Sequence, residues 1–219
     1  MIPDILYTPS IILSDKSYIF RLIKHPITSL YSRSSKSIFT RHYLPMDLRE
    51  TILKEHSKAN TLGITQWVGN KQDRFDLLMD LFLADEYRVV QRAAWVVSEC
   101  AIRNPALILP HLGAVLTAME TPVHDAVLRN SLKVLAELDL PEEHMGKAVS
   151  ISFDLLAHPK SPVAIKVHAM QVIANLCVKE PDLSEELKLL IEDQWEEGTA
   201  GFKSRGKRIL KQLEKIKKT

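Results

Sequence analysis

Val89-Val90-Gln91-Arg92, Ala126-Val127-Leu128-Arg129, Val163-Ala164-Ile165-Lys166 and Phe202-Lys203-Ser204-Arg205 are four versions of one pattern, an apolar residue three positions before a base. The bases stand 37, 37 and 39 residues apart. In a helix, positions i and i+3 are surface neighbours. Each stretch therefore sets one apolar and one basic side chain side by side, and their recurrence at a near-constant interval marks a chain of repeated supersecondary units.

The prolines give the same interval independently. Pro105, Pro141 and Pro181 are separated by 36 and 40 residues, and Pro122 and Pro159 by 37. Proline ends helices because its ring clashes with the preceding turn and it has no N–H, so two alternating series imply two helices per repeat. Between the breaks the apolar period is helical: Leu187, Leu190, Ile191 and Trp195 form one stripe, and Phe75, Leu78 and Phe82 another. This spacing predicts first helices over 73–84, 106–119, 142–157 and 183–195. Second helices follow over 86–103, 123–138, 162–178 and 200–217, with a leading helix over 47–69 that bends near Gly63.

The four stretches resemble the second helix of the HEAT repeat, which opens on a Val-Arg-x-x-Ala-like sequence after an acidic residue in the turn. Val90-Gln91-Arg92-Ala93-Ala94 with Glu86, and Val127-Leu128-Arg129 with Asp125, carry the likeness. Lys166 replaces arginine, and Gly201-Phe202-Lys203-Ser204-Arg205 has no acid just before it. The resemblance covers about residues 73–217 and implies an all-α, armadillo-like solenoid, a right-handed superhelix of about four helix pairs plus a leading helix. It identifies an architecture better than an activity. The chain is also similar to short bacterial HEAT-like proteins of unknown function, some of which carry an adenylosuccinate lyase label. The lyase family's Ser-Ser-x-Met-Pro-x-Lys loop is absent, and 219 residues are too few for its long helical bundle.

Residues 1–45 differ from the rest. They hold eight serines, six of the eleven Phe and Tyr residues, no glycine and no helical apolar period, and six Lys/Arg against two Asp/Glu make them +4. The remaining 46–219, with 23 Lys/Arg and 25 Asp/Glu, form a mildly acidic repeat domain. Three readings fit the first segment: a disordered or loosely docked tail, a targeting presequence, or translation assigned upstream of the natural start. The helix start Met46-Asp47-Leu48-Arg49-Glu50 favours the last. Cys100 and Cys177 each lie in apolar runs without Cys or His neighbours, so they read as buried reduced thiols. No apolar run approaches the ~18 residues of a membrane span, and no export signal opens the chain, so the expected location is cytoplasmic with no membrane partner.

The function expected on architectural grounds is that of a non-enzymatic scaffold binding a protein or peptide on its concave face, since solenoids expose large rigid curved surfaces. Tyr87, Arg88, Arg92, Arg129, Lys166, Lys203 and Arg205 all fall at the starts of second helices and are the candidate binding residues. The competing expectation for the bases is structural, as bonds to acids or carbonyls in neighbouring turns. A second reading is nucleic-acid binding through the last helix, where eight Lys/Arg lie between 203 and 218 against Glu214 alone.

Enzymatic readings are weak. The HEAT-built deoxyhypusine hydroxylase binds di-iron through His-Glu pairs, but no histidine of the repeat region precedes a glutamate, so no metal and no cofactor are expected. HEAT-built alkylpurine DNA glycosylases use tryptophans and an aspartate. Here Trp95 and Trp195 read as core, and Asp125 is the acid to test, although helix capping explains it more simply.

Overall fold

The computed structural model describes residues 47–84, 86–122 and 124–216. The expectations for residues 1–45 lie outside the described residues. Ten α-helices and no strand are present among the described residues: α1 Leu48–Lys54, α2 Lys58–Val68, α3 Gln72–Ala84, α4 Tyr87–Arg103, α5 Leu112–Glu120, α6 Asp125–Leu135, α7 Glu142–Ala157, α8 Val163–Leu176, α9 Leu183–Asp193 and α10 Ala200–Ile216.

Two of the expected boundaries are corrected. The leading helix breaks at Glu55–Ser57, well before Gly63. Asp47 caps α1 by accepting from the Glu50 N–H at 2.9 Å, and Ser57 Oγ starts α2 by accepting from the Asn60 N–H at 3.1 Å. The Asn60 side-chain amide then donates back to Thr51 O at 2.8 Å and Glu55 O at 2.9 Å, so one residue satisfies carbonyls that the break leaves open. Gly63 lies inside α2, with open space where a Cβ would stand. The expected helix over 106–119 begins only at Leu112. Pro105 and Pro110 each open a 3-10 turn, Pro105–Leu107 and Leu109–His111, because two prolines five residues apart cannot both sit in the first turn of one helix.

The helices form two layers. α4, α6, α8 and α10 pack on one another in series, and more closely than α3, α5, α7 and α9 do. Layers of unequal spacing curve, and the tighter one is the inside of the arc. The second helices therefore line the concave side, as the repeat architecture requires. α1 and α2 both pack on α4 and close the first end of the array.

One continuous core lies between the layers. It runs from Ile52 and Phe75 through Leu112, Leu132 and Leu156 to Ile173, Leu187 and Ile209, all essentially without solvent exposure. Each pair leaves an apolar flank that only the next pair covers, so stability accumulates along the array. Polar ties repeat at the same period. Arg92 bonds Leu53 O across 39 residues, Gln194 bonds Leu156 O across 38, and Asn175 bonds Ala136 O across 39.

Candidate functional site

On α4 the buried positions are Val89, Val90, Ala93, Ala94, Val96, Val97, Ser98, Cys100 and Ala101. Of the remaining positions, Arg88, Arg92, Trp95, Glu99 and Arg103 form an open stripe at helical spacing. The corresponding stripes are Asp125, Arg129 and Lys133 on α6, His168, Gln171 and Asn175 on α8, and Arg205, Arg208 and Gln212 on α10. Trp95 thus differs from the expectation of a core residue. Its apolar neighbours turn inward, while it falls with Arg92 and Glu99 on the concave stripe, half-buried against His56 at a ring separation of 5.6 Å. Trp195 and Trp67 do pack against the core, the latter with the Arg74 guanidinium 4.7 Å above its ring.

The repeating bases divide into two kinds. Arg92 Nη1 donates to Leu53 O at 2.6 Å and Ile52 O at 3.3 Å, closing the last turn of α1. Lys166 Nζ donates to Gln194 Oε1, and the Gln194 amide donates in turn to Leu156 O in the last turn of α7 at 3.1 Å. Arg205 Nη1 donates to Gln171 Oε1 at 2.6 Å, Gln171 Nε2 to Asn175 Oδ1 at 2.8 Å, and Asn175 Nδ2 to Ala136 O at 2.7 Å. That relay joins α10 through α8 to the end of α6. Lys203 Nζ reaches the Glu196 carbonyl at 3.0 Å. Arg129 is different: it is exposed, and no hydrogen bond or ion pair ties it to another described residue. Arg88 is likewise exposed, and Tyr87 is 56% exposed beside the His124 ring at 4.8 Å.

His124 also takes the capping role expected of Asp125. Its Nδ1 accepts the Ala126 N–H at 2.8 Å, which leaves Asp125 exposed in the first turn of α6. At the last two repeats a groove of about 530 Å³ opens between Val163, Lys166, Leu190, Gln194, Glu197 and Phe202. Burial lowers the Lys166 pKa from its ordinary value there.

Charge is sorted between the layers. The concave helices α4, α6, α8 and α10 hold twelve Lys/Arg and three Asp/Glu, a balance of +9. The outer helices α3, α5, α7 and α9 hold three Lys/Arg and eleven Asp/Glu, a balance of −8. Without α10 the concave layer still has six bases against two acids. The effect is felt at His168, half-buried on α8, whose pKa is lowered by burial and then by the positive charges of Arg205, Lys133 and Arg129. Lys133 is paired to Glu99 at 3.1 Å.

No group of three or more His, Cys, Asp or Glu side chains placed to hold a metal ion is found among the described residues. Cys100 and Cys177 are free and buried, and burial pushes the Cys100 thiol up to about 11. No helix among the described residues is long and apolar enough to cross a membrane.

A model of the HEAT repeat domain matches residues 48–213, spanning every helix pair of the array. No curated protein and no solved structure matches the chain.

Proposed function

We propose that this chain, which belongs to the HEAT repeat family, is an interaction module whose concave layer receives a protein or peptide segment of acidic character. The observation that carries the reading is the charge sorting: +9 on the inner helices against −8 on the outer ones. A curved surface of one sign steers an oppositely charged partner and fixes its orientation. Arg88 and Arg129 offer free head groups, and Tyr87 and Trp95 offer aromatic contact. Arg92, Lys166, Lys203 and Arg205 add to the field while their head groups hold neighbouring turns in register.

The test is affinity capture from the native host with three baits, followed by mass spectrometry and nucleic-acid quantification. One bait is the wild type. The second carries Arg88→Glu and Arg129→Glu, and the third carries Asp80→Lys, Glu142→Lys and Glu186→Lys on exposed outer positions. A protein retained by the wild type and the outer variant but lost from the inner variant is the expected result. Retention by all three baits, or loss only from the outer variant, refutes the proposal. The six bases of α10 favour nucleic acid as the second reading. That reading predicts recovery of nucleic acid and an affinity falling with a log-log salt slope of about −0.9 per neutralised duplex phosphate.

A further inference from the structure

We infer that His168 anchors a carboxylate side chain of that acidic segment, in a site completed by Arg129 and Lys133 of α6 and Arg205 of α10. The inference rests on the proposal that the concave layer receives an acidic partner. α8 lies between α6 and α10 and packs on both. α7 and α9 cover its opposite flank, where Ile165, Ala169, Val172, Ile173 and Leu176 are buried. His168 and Gln171 share the flank left open, one turn apart and half-buried.

The charges of three cations, on α6 and α10, act on the ring. Arg129 and Lys133 are one turn apart on the open stripe of α6. Arg205 is fixed beside the α8 stripe by its 2.6 Å bond to Gln171, and its Nε is buried with no acceptor. The charges that act on the His168 ring are those of Arg205, Lys133 and Arg129, all positive. Of the acids nearby, Glu99 pairs with Lys133, Glu137 acts on Arg205 through its charge, and Asp125 lies one turn before Arg129 on the α6 stripe. Arg208 adds a further positive charge beside Arg205. This corner of the concave layer therefore has more cation than anion, and Arg129 has a head group with nothing to hold.

A carboxylate delivered to that corner would accept from Arg129 and reverse the field at His168. Free, the imidazole is biased toward its neutral form because burial and three cations oppose its charge. With a carboxylate beside it, the protonated ring becomes the favoured form. Binding then takes up a proton at His168. Affinity must rise as pH falls through the bound-state pKa of the ring, and level off below its free-state pKa.

The measurement is fluorescence anisotropy of a labelled poly-glutamate peptide of about ten residues, titrated with the full chain at fixed low salt and at pH about 7.5 and about 5.5. Wild type, Arg129→Glu and His168→Gln are compared, with melting temperatures as a folding control. The wild type should bind severalfold more tightly at the lower pH, with a ceiling of about tenfold per pH unit between the free and bound pKa values. Arg129→Glu should weaken binding at both pH values by about tenfold. His168→Gln should keep the melting temperature and lose the part of the pH response that belongs to the ring. NMR of the His168 ring should show its titration moving to higher pH when peptide is added.

Wild-type binding with an unchanged His168 titration, or with an identical pH response in His168→Gln, overturns the site and leaves the concave-layer reading standing. Absence of peptide binding by the wild type overturns both. Binding of a single-stranded oligonucleotide where the peptide fails does the same.

Discussion

Replacing Arg92 with alanine separates the structural bases of the array from the free ones. The guanidinium closes α1 with one short bond to Leu53 O at 2.6 Å and a weaker one to Ile52 O at 3.3 Å. Hydrogen bonds from charged donors contribute about 1.5–3 kcal/mol, and the half-buried setting places this pair near ~2 kcal/mol on that scale. α1 has only seven residues, too few to persist without its contacts to the array. In a domain of this size about 2 kcal/mol lowers the melting temperature by roughly 4–8 °C. Because repeats interact with their nearest neighbours, the release should also be local. Hydrogen exchange followed by mass spectrometry should show faster exchange over 48–54, with α6 to α10 unchanged. Arg129→Ala, at an exposed position, should stay within about 0.5 kcal/mol of wild type. If Arg129→Ala destabilises as much as Arg92→Ala, or if exchange in α1 does not change, the division of the bases into two kinds is wrong.

Four further outcomes rest on packing and on local hydrogen bonding. Gly206→Ala should destabilise by about 1–3 kcal/mol, since a Cβ there would lie 3.0 Å from Ile191 Cγ2 and 3.1 Å from Trp195 Cζ3; Gly146→Ala, where nothing stands within 4 Å, should instead stabilise by up to about 1 kcal/mol in denaturant titrations. Cys100 and Cys177 should resist a thiol reagent at mildly alkaline pH in the folded protein and react fully in denaturant; reaction of either in the native state would contradict their burial and raised pKa values. Asp76 accepts from Gln72 at 2.8 Å and bonds His111 at 2.7 Å, and these two interactions lower its pKa below the ordinary 3.8. A lowered carboxylate pKa stabilises the fold above the ordinary value, and that contribution is lost as pH falls through the folded one. The gap in urea midpoint between wild type and Asp76→Asn should therefore be open near neutrality and close in acid.

The second helices are legible in the sequence because their pattern is local. The stretch from Val89 to Ala101 alternates buried and open positions at helical spacing, and Glu86 and Asn104 bound it on either side. The break before α2 is also written there, as Ser57 followed three residues later by Asn60. Gly63 is the more conspicuous signal and the weaker one, since a lone glycine inside an amphipathic helix costs only about 1 kcal/mol. The start of α5 is obscured for a comparable reason: Pro110 reads as an interruption of one helix, whereas after Pro105 it holds a 3-10 turn of its own. What no local pattern can give is the pairing across repeats. Gln171 and Arg205 meet across 34 residues, and Asp76 and His111 across 35, and nothing in either neighbourhood names the partner.

The charge sorting shows how a sound count can mislead. Residues 46–219 are slightly acidic, which argues against an anionic partner if charge is taken as spread over the whole surface. Two helices per repeat, however, send alternate segments of the chain to opposite layers. A sum along the sequence then adds the two faces together and cancels them. The same sum taken over alternate helices separates them, and it needs only the helix boundaries, which the prolines and the apolar period nearly supply. The field at a partner's approach is set by the nearer layer, because ions screen charges beyond about 8–10 Å at physiological salt, and the outer helices lie behind a helix and the core. Raising salt from low to physiological should therefore weaken capture of an acidic probe by the wild type. The outer-layer variant should lose the same factor, because the −8 on the far side contributes little to the encounter. A markedly different salt response in that variant would mean that the two layers act on the partner together, and that the concave face is not the surface that receives it.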